Sequence, residues 1–380
     1  KLPLLRWVGR NAMDFFLYVA LDCFVRSGKI ANGRCVPYVR CKMAICMDSS
    51  SLSNNYTFIY NDQKNMDKQN RILISVVIPS YNRADTVGQT IESILVQKVD
   101  ADVEIVIGDD CSTDNAREVL LKYKEQHPDV IRLLFHEQNM GLGANWATCV
   151  KACQGKYICN CDNDDYWHNE HKLQIQLDYM ESHPECNICV TNHRTHNRAT
   201  GEIIEYQAKI DHADIQQSMW GGSYFCNATI MYRADFMKAH LDLDEFIKRR
   251  FTLQDWPAWV ILTAYADIDV LPVSTATFGI ETSSITRPDS IERLAKRLDG
   301  DKEVARYLGE LFPDKFPFVE REWDSYANGR LMTKAYIIGD YKAARKYGKD
   351  CSGVGKFKQR CSQNRILFVL YRLLKKIKEY

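Results

Sequence analysis

The sequence has almost no net charge, few glycines and prolines, and no long apolar run. Its 50 Lys and Arg side chains offset 49 Asp and Glu side chains to leave +1, which gives no reason to expect a nucleic-acid partner. With 19 glycines and 10 prolines in 380 residues, the composition excludes a collagen, a low-complexity chain and a largely disordered one. The apolar stretch at residues 15–25 contains Asp22 and is too short to span a bilayer, which argues against a polytopic membrane protein.

The small net charge conceals three unlike segments. Residues 1–65 carry 9 basic and 4 acidic groups (+5), residues 356–380 carry 8 and 1 (+7), and the total of +1 therefore leaves −11 for residues 66–355. An acidic body with two basic ends predicts a cation-requiring site in the body and an anionic surface as the partner of at least one end.

Residues 1–65 lack the pattern of a packed domain or a secretory leader. They show no sustained amphipathic period, and no clean apolar stretch is followed by a small-residue cleavage site. We expect the functional polypeptide to begin at Met66, just before the first strong strand, and the preceding 65 residues to be upstream sequence read in frame.

The 14 cysteines are spread over a large chain, which favours reduced thiols in a cytosolic protein over a disulfide framework. Cys159 and Cys161 alternate in an apolar run and are expected to pack as small hydrophobes in a buried strand. Cys186 and Cys189 have the spacing of half a zinc site, but no second pair completes it, so we expect packing there too.

From residue 71 onward, strands alternate with helices. Apolar, β-branched runs at 72–78, 103–107, 131–135 and 156–161 predict strands buried on both faces. Between them the sequence predicts three helices: one that begins near Thr86, one that ends near Gln126 and one that ends near Cys153. This order predicts an α/β fold with right-handed crossovers and an open, mostly parallel central sheet flanked by helices.

Ligands of such sheets bind at the carboxyl ends of the strands, and here those ends carry carboxylates rather than glycines. A dinucleotide site would need Gly-x-Gly-x-x-Gly after the first strand, where this chain has Pro79 to Arg83. Gly141 and Gly143 follow the third strand instead, and position 146 is Trp. A Rossmann oxidoreductase is therefore disfavoured.

Asp109 or Asp110 could accept a hydrogen bond from a base imide or from ribose hydroxyls, and Tyr81 could stack on the base. The acidic loop, residues 162–165, crowds Asp162, Asp164 and Asp165 together, which is costly without a divalent cation. A single Asp after a strand is often only a turn or helix cap. Carboxylates at successive strand ends favour a metal–nucleotide site.

Five segments resemble the family 2 glycosyltransferases of GT-A fold, over about a hundred residues and in the family's order: I-P-S-Y-N-R at 78–83, G-D-D-C-S-T-D at 108–114, N-M-G at 139–141 with Asn145, G-K-Y-I at 155–158 and D-N-D-D-Y-W at 162–167. The resemblance implies a nucleotide-sugar donor, a divalent metal (Mn²⁺ or Mg²⁺) and inversion at the anomeric carbon. The implied nucleotide-sugar contacts are Pro79, Tyr81, Arg83, Asp109, Asp110, Asn139, Gly141, Asn145 and Asp162. The implied metal ligands are Asp164, Asp165 and Asp162, without a choice among the three.

The family's catalytic base is an Asp at the start of a helix in the acceptor half, usually after Glu, and the matching residue here is Asp255. Gln254 stands in place of that Glu, and the alternative role of Asp255 is an ordinary N-cap. The proposed step is direct displacement, in which Asp255 takes the proton from an acceptor hydroxyl that attacks C1.

The acceptor is expected to meet the segment between the acidic loop and Asp255. Residues 220–225 form a Gly- and aromatic-rich loop, either a sugar-binding loop or a hairpin turn, before an expected strand at 228–232. Residues 193–196 are candidate acceptor contacts in an expected solvated loop, and a short strand is expected at 268–271. Residues 278–284 occupy the place of a family segment but lack its basic residues.

Beyond Arg287 the chain is predicted to be helical, and residues 324–347 contain apolar positions such as Ala335, Ile338 and Ala344. Residues 365–378 combine a broad apolar stripe with Arg and Lys, and are too short and too charged to span a bilayer. This segment could lie on an anionic membrane, or pack its stripe on the enzyme and leave the lysines in water.

The sequence therefore predicts a GT-A glycosyltransferase domain at 66–287, with a nucleotide-binding half (71–167) and an acceptor half (168–287), followed by a helical region at 288–380. The expected enzyme is an inverting, metal-dependent, hexosyltransferase-like protein that moves a sugar from a UDP-sugar to a hydroxyl of a glycan or lipid-linked acceptor in cell-surface polysaccharide synthesis. It is expected in the cytoplasm, at the inner face of the membrane, without a nucleic-acid partner. Alternatives are an inactive nucleotide-sugar-binding protein, or a sugar nucleotidyltransferase, which would typically carry a Gly-rich basic loop absent from 79–84.

Overall fold

The computed structural model describes residues 72–208, 225–280 and 288–378. The expected start at Met66, the loop at 220–224 and the segment at 281–284 lie outside these residues. Ile72–Tyr380 fold as one compact unit.

The first half of the domain is a parallel sheet, as the apolar runs predict. The alternating strands and helices are β1 (Leu73–Ser80), α1 (Val87–Leu95), β2 (Asp102–Asp109), α2 (Ala116–Gln126), β3 (Ile131–Phe135), α3 (Leu142–Ala152) and β4 (Tyr157–Asn160). β1 pairs in parallel with β2 and β4, and β2 with β3, so that the carboxyl ends of these strands meet at one edge. The interior of β1 is fully buried, which explains its β-branched composition.

The second half makes the sheet mixed. It contains β5 (Tyr166–Trp167), α4 (Lys172–Ser182), β6 (Ile188–Asn197), β7 (Ile203–Tyr206), a 3₁₀ turn (Asn227–Thr229), β8 (Met231–Arg233), α5 (Ala234–His240), α6 (Leu243–Arg249), α7 (Asp255–Thr263) and β9 (Ile268–Ile280). The strand order is β3-β2-β1-β4-β8-β6-β9-β5, with β7 beside β6. β8 is antiparallel to β4 and β6, and β5 to β9, whereas β6 pairs with β9 in parallel, so the complete sheet is mixed.

Three predictions in this half are wrong in detail. β9 continues nine residues beyond the expected end at Leu271, because Pro272 falls at an irregularity in the β6–β9 register rather than ending the strand. The strand expected at 228–232 begins only at Met231, since Asn227–Thr229 form the 3₁₀ turn. Residues 193–196 lie in β6, paired with β7 and β9, instead of in a solvated loop.

The C-terminal region is helical, as predicted. Its helices are α8 (Ile291–Leu311), α9 (Glu320–Ile338), α10 (Tyr341–Tyr347), α11 (Lys356–Ser362) and α12 (Arg365–Lys378). Gly339, whose φ of 88° ends α9 in the left-handed conformation, divides the helical stretch at 324–347 between α9 and α10. None of the helices in the described ranges is long and apolar enough to cross a membrane.

The sheet has a hydrophobic core on each face. One core joins α3, α7 and the C-terminal helix α8, and the other packs α1, α2 and α4 against the opposite face. Cys159 and Cys161 are fully buried, as predicted, and Cys186 and Cys189 are buried as well. Every cysteine in the described ranges is a free thiol.

Candidate functional site

The carboxyl ends of β1 and β2 are joined by short hydrogen bonds. The Asp110 amide donates to the Ser80 carbonyl (2.9 Å), and the Asn82 amide to the Ser112 hydroxyl (2.9 Å). Asn82 and Cys111 adopt positive φ, 50° and 61°, which turns both loops sharply at this edge. Pro79 is buried in β1, whereas 45% of Tyr81 is exposed beside these loops. The predicted stacking residue is therefore accessible at the edge.

Asp110 holds the loop that follows β3. Its two carboxylate oxygens accept from the backbone amides of Met140 (2.6 Å) and Gly141 (2.9 Å), and its carbonyl accepts from the Asn139 side chain (3.2 Å). Gly141 has a φ of 88°, a conformation that favours glycine. The structure thus brings three predicted residues together, with Asp110 oriented by the loop it holds.

Asp109 has a different environment from its neighbour. Its side chain is fully buried and pairs with Arg117 (2.9 Å), whose guanidinium lies over the Phe135 ring. Its carboxylate thus bonds to a side chain of α2, whereas that of Asp110 accepts from the loop after β3.

Asn145 is also buried, and its amide joins two strand ends. Its Nδ2 donates to the Gly108 carbonyl (2.8 Å), and its Oδ1 lies 2.9 Å from His136 Nε2. A Cβ on Gly108 would come within 2.0 Å of Asn145 Oδ1, so the glycine is what lets this side chain reach the sheet. Asn145 therefore helps to fix the carboxyl ends of β2 and β3 from the protein interior.

The three aspartates of the acidic loop occupy three environments. Asp165 points into the protein, where it accepts from the Gly279 amide (2.9 Å) and the Cys226 thiol (3.6 Å). Asp164 is partly exposed and lies 3.5 Å from the Arg83 guanidinium. Helix α1 fixes the loop from the side, because Thr90 donates its hydroxyl to the Asp165 carbonyl (2.6 Å).

Asp162 is held by two amides. Asn227 Nδ2 donates to Asp162 Oδ2 (3.2 Å), and Gln254 Nε2 donates to Oδ1 (3.1 Å). Burial, then the charges of Asp164 and Asp255, raise the pKa of Asp162 to about 7, although the two amides act in the opposite direction. Two further carboxylates thus lie close enough to oppose the ionisation of this one.

Asp255 is the first residue of α7, and Gln254 takes the N-cap position before it. The alternative role of Asp255 as an N-cap is therefore not what the structure shows. Asp255 Oδ1 accepts from the Trp256 amide (2.8 Å). Burial raises the pKa of Asp255, while that amide and the charge of Arg297 on α8 lower it. The predicted base and the acidic loop share one site, linked through Gln254.

The candidate acceptor residues at 193–196 have partners within the sheet. The His193 ring stacks on Tyr206 with centroids 5.3 Å apart, and His196 Nδ1 lies 3.3 Å from the Tyr166 hydroxyl. Their role in acceptor binding stays a prediction.

Sequence reasoning missed Asn227 and Gly279, and it read Gln254 only as a departure from Glu. Asn227 precedes a run that looks like an ordinary strand, and no local pattern marks it. Gly279 lies in β9, where a Cβ would come within 2.2 Å of the Asp164 carbonyl oxygen. A glycine inside a strand is a signal of close backbone approach and could have identified this contact.

This α/β domain combines carboxylates at the ends of parallel strands with an acidic loop and a partly buried aspartate at a helix start. Residues 75–241 match the family model described as glycosyl transferase family 2.

Named relatives agree with this match. The putative teichuronic acid biosynthesis glycosyltransferase TuaG of Bacillus subtilis is 37% identical over 28% of this chain and 42% of its own. WfaP of Escherichia coli, a UDP-Glc:alpha-D-GlcNAc-diphosphoundecaprenol beta-1,3-glucosyltransferase, is 36% identical over 29% of this chain and 42% of its own. Across eight curated relatives, the chain spans 33 to 65% of the relative's length.

Among solved structures, S. aureus TarS 1–349 in complex with UDP aligns over 81% of this chain and 91% of its own, with 17% identity and a TM-score of 0.46.

Proposed function

We propose that this chain transfers a sugar from a nucleoside-diphosphate sugar to an acceptor hydroxyl with inversion at the anomeric carbon. One observation carries the proposal: the 3.1 Å hydrogen bond from Gln254 to Asp162, which joins the acidic loop after β4 to the helix that begins with Asp255. A diphosphate-side carboxylate and a base carboxylate are the two groups that such a displacement needs.

The donor is proposed to lie along the carboxyl edge, with its base on Tyr81 and its nucleoside beside Asp110 and the loop at 139–141. Tyr81 is 45% exposed there. Pro79, Asp109 and Asn145 are buried beneath the edge, and we assign them the positioning of these contacts rather than direct binding.

The acidic loop fits a divalent cation. Among the described residues, no group of three or more His, Cys, Asp and Glu side chains is arranged to hold a metal. Mg²⁺ and similar ions, however, usually bind one or two carboxylates together with substrate phosphates and water. Asp164, which is partly exposed, and Asp162, whose ionisation is opposed by nearby carboxylates, would hold the ion. A bound Mn²⁺ or Mg²⁺ would neutralise charge on the departing diphosphate.

Asp165 has the weaker case as a ligand, because its side chain is buried and bonded to Gly279 and Cys226, whereas Asp162 and Asp164 are partly exposed. We assign it the role of fixing the loop. Arg83, 3.5 Å from Asp164, supplies a cation that can reach a phosphate at the same edge.

Asp255 is proposed to take the proton of the acceptor hydroxyl while that oxygen attacks C1 and the bond to the diphosphate breaks. Its raised pKa makes it a stronger base than an exposed Asp. The Trp256 amide binds one carboxylate oxygen and leaves the other for the acceptor.

The name of WfaP supports a UDP-sugar donor and a lipid-linked acceptor, and the name of TuaG supports a role in cell-surface polysaccharide synthesis. We accordingly propose hexosyl transfer at the cytoplasmic face of a membrane.

The test is a panel of UDP-, GDP- and dTDP-sugars with and without Mn²⁺, in which release of the nucleoside diphosphate is followed. The expected result is Mn²⁺-dependent release with one donor, reduced about 10²- to 10⁴-fold in Asp255→Asn, the range for loss of a general base. A chain that binds a donor but never turns it over would be the inactive binding protein. Release of pyrophosphate from a nucleoside triphosphate and a sugar phosphate would instead identify a nucleotidyltransferase.

A further inference from the structure

Helix α12 uses only a narrow part of its surface to contact the protein. Phe368 is 2% exposed, and its ring lies 4.5 Å from that of Tyr336 and 5.4 Å from that of Tyr341. Tyr371 packs beside Tyr336, with ring centroids 5.3 Å apart. These two side chains anchor the helix.

The rest of its apolar surface is exposed. Six side chains between positions 366 and 374 are 41–72% exposed: Ile366, Leu367, Val369, Leu370, Leu373 and Leu374. At 100° per residue they cover an arc of about 160°, which is wider than the stripe a surface helix needs to pack on its own protein. The apolar stripe of α12 therefore faces away from the enzyme. This observation disfavours the alternative that the stripe packs on the enzyme.

Neighbouring helices extend this surface. Ile337 and Ile338 at the end of α9 are 69% and 47% exposed, and Phe357 on α11 is 66% exposed. Arg372 of α12 reaches the Ile337 carbonyl (3.4 Å), and Phe357 lies 6.1 Å from the ring of Tyr371. We call these three residues and the six on α12 the C-terminal apolar surface. Contiguous exposed apolar surface of this kind marks an interaction site.

The net positive charge around this surface indicates which kind of partner it binds. Residues 356–380 hold 8 basic groups and 1 acidic group. A two-fold contact between copies would set the same strongly basic segment against itself, since such interfaces use one patch twice. Residues 1–65 carry +5 and would be repelled as well. An anionic bilayer supplies both the apolar interior and the negative charge, and each Lys or Arg near it adds to the attraction.

We propose that the C-terminal apolar surface docks this protein on an anionic lipid membrane, with α12 lying in the plane of the interface. This goes beyond the proposed glycosyl transfer, and it would bring the catalytic domain to a membrane-borne acceptor. Docking can be measured on vesicles that contain neither donor nor acceptor, so its failure is separate from failure of the catalytic proposal.

The test is flotation of the full chain with vesicles of phosphatidylcholine and phosphatidylglycerol in equal parts, against vesicles of phosphatidylcholine alone. The disrupting variant is Leu370→Glu with Leu373→Glu. Its matched control is Val96→Glu with Leu121→Glu, which makes the same charge change at two other exposed apolar positions, 59% and 50% exposed. All four positions are exposed, so both variants should fold, and circular dichroism and thermal unfolding check this.

The wild type and the control should float with the anionic vesicles and lose binding at high salt, and the disrupting variant should bind at least tenfold more weakly. Equal flotation of the two double variants, or no flotation of the wild type, would overturn the proposal. A wild-type dimer that becomes a monomer in the disrupting variant would assign the surface to a second copy of the chain, and would overturn it too.

Discussion

At Gly279, the addition of a single methyl group should impair catalysis while the protein still folds. In β9 its amide donates to Asp165, and a Cβ built on it would lie 2.2 Å from the Asp164 carbonyl oxygen. The oxygen belongs to the backbone of the acidic loop, so no flexible side chain can move aside. Gly279→Ala must therefore displace the loop or the strand.

The required displacement follows from the contact distance. Ordinary contact with a Cβ begins at 3.4 Å, so a separation of 2.2 Å must grow by about 1.2 Å. Misplacement by about 1 Å can cost a reaction about 10²-fold, which corresponds to about 2.7 kcal/mol of transition-state stabilisation. Overpacking of this kind also destabilises a fold by about 1–3 kcal/mol. We expect Gly279→Ala to fold, with a lower Tm and kcat/KM about 10²-fold below wild type.

The assay combines thermal unfolding with kcat/KM for the donor chosen from the nucleotide-sugar panel. Gly355→Ala is the matched control, because Gly355 has a φ of −60° and no atom within 4 Å of an added Cβ. The control should match wild type in both measurements. If Gly279→Ala folded with the kcat/KM of wild type, the inference that β9 fixes the position of the acidic loop would be refuted.

Three further predictions concern buried or partly buried charges. Asp164→Asn should weaken Mn²⁺ binding, measured by titration, about tenfold or more. Asp165→Asn should change this binding little, because the Asp165 carboxyl already bonds within the protein. Equal losses in the two variants would contradict the assignment of Asp164 as a ligand and Asp165 as a residue that fixes the loop. Burial raises the pKa of Asp301 to about 6, so its ionisation destabilises the fold as the pH rises from about 4 through 6. Asp301→Asn should then gain up to about 3 kcal/mol at pH 7, a figure that already includes its attraction to Arg297, and nothing near pH 3 in chemical denaturation. A gain independent of pH would count against this. Burial lowers the pKa of Lys172, so the unfolding free energy of wild type relative to Lys172→Met should rise with pH until about 10.4. A difference that does not change with pH would show that burial does not disfavour the charged form of this lysine.

Much of the fold could be predicted because its signals are local. The apolar runs that become β1 and β2 are buried on both faces over most of their length, and burial dictates their composition wherever they lie in the sheet. Helix α2 ends at Gln126, as its apolar spacing predicts. The continuation of β9 past Pro272 could not be predicted, because a proline is tolerated there only by an irregularity in the register with β6, a strand about 80 residues earlier.

The candidate site, like the fold, could be predicted from the sequence only in part. The order of the segments along the chain predicted which strand ends carry carboxylates, and the pairing of β1 with β2 and β4 brings those ends together. The sequence did not distinguish Asp109 from Asp110, or Asp165 from Asp164. In each pair the distinction depends on partners far along the chain: Met140 and Gly141 for Asp110, and Gly279 for Asp165.

By itself the sequence determined the α/β alternation, the carboxylates at the strand ends and the helical, basic end of the chain. These depend on composition and spacing over a few residues, which set burial and local conformation. Only the tertiary structure decided that Gln254 and Asn227 hold Asp162, and that the apolar stripe of α12 faces outward. Hydrogen bonds between residues 65 and 92 positions apart, and the choice of which helix face is covered, depend on how the elements pack, and no local pattern records that.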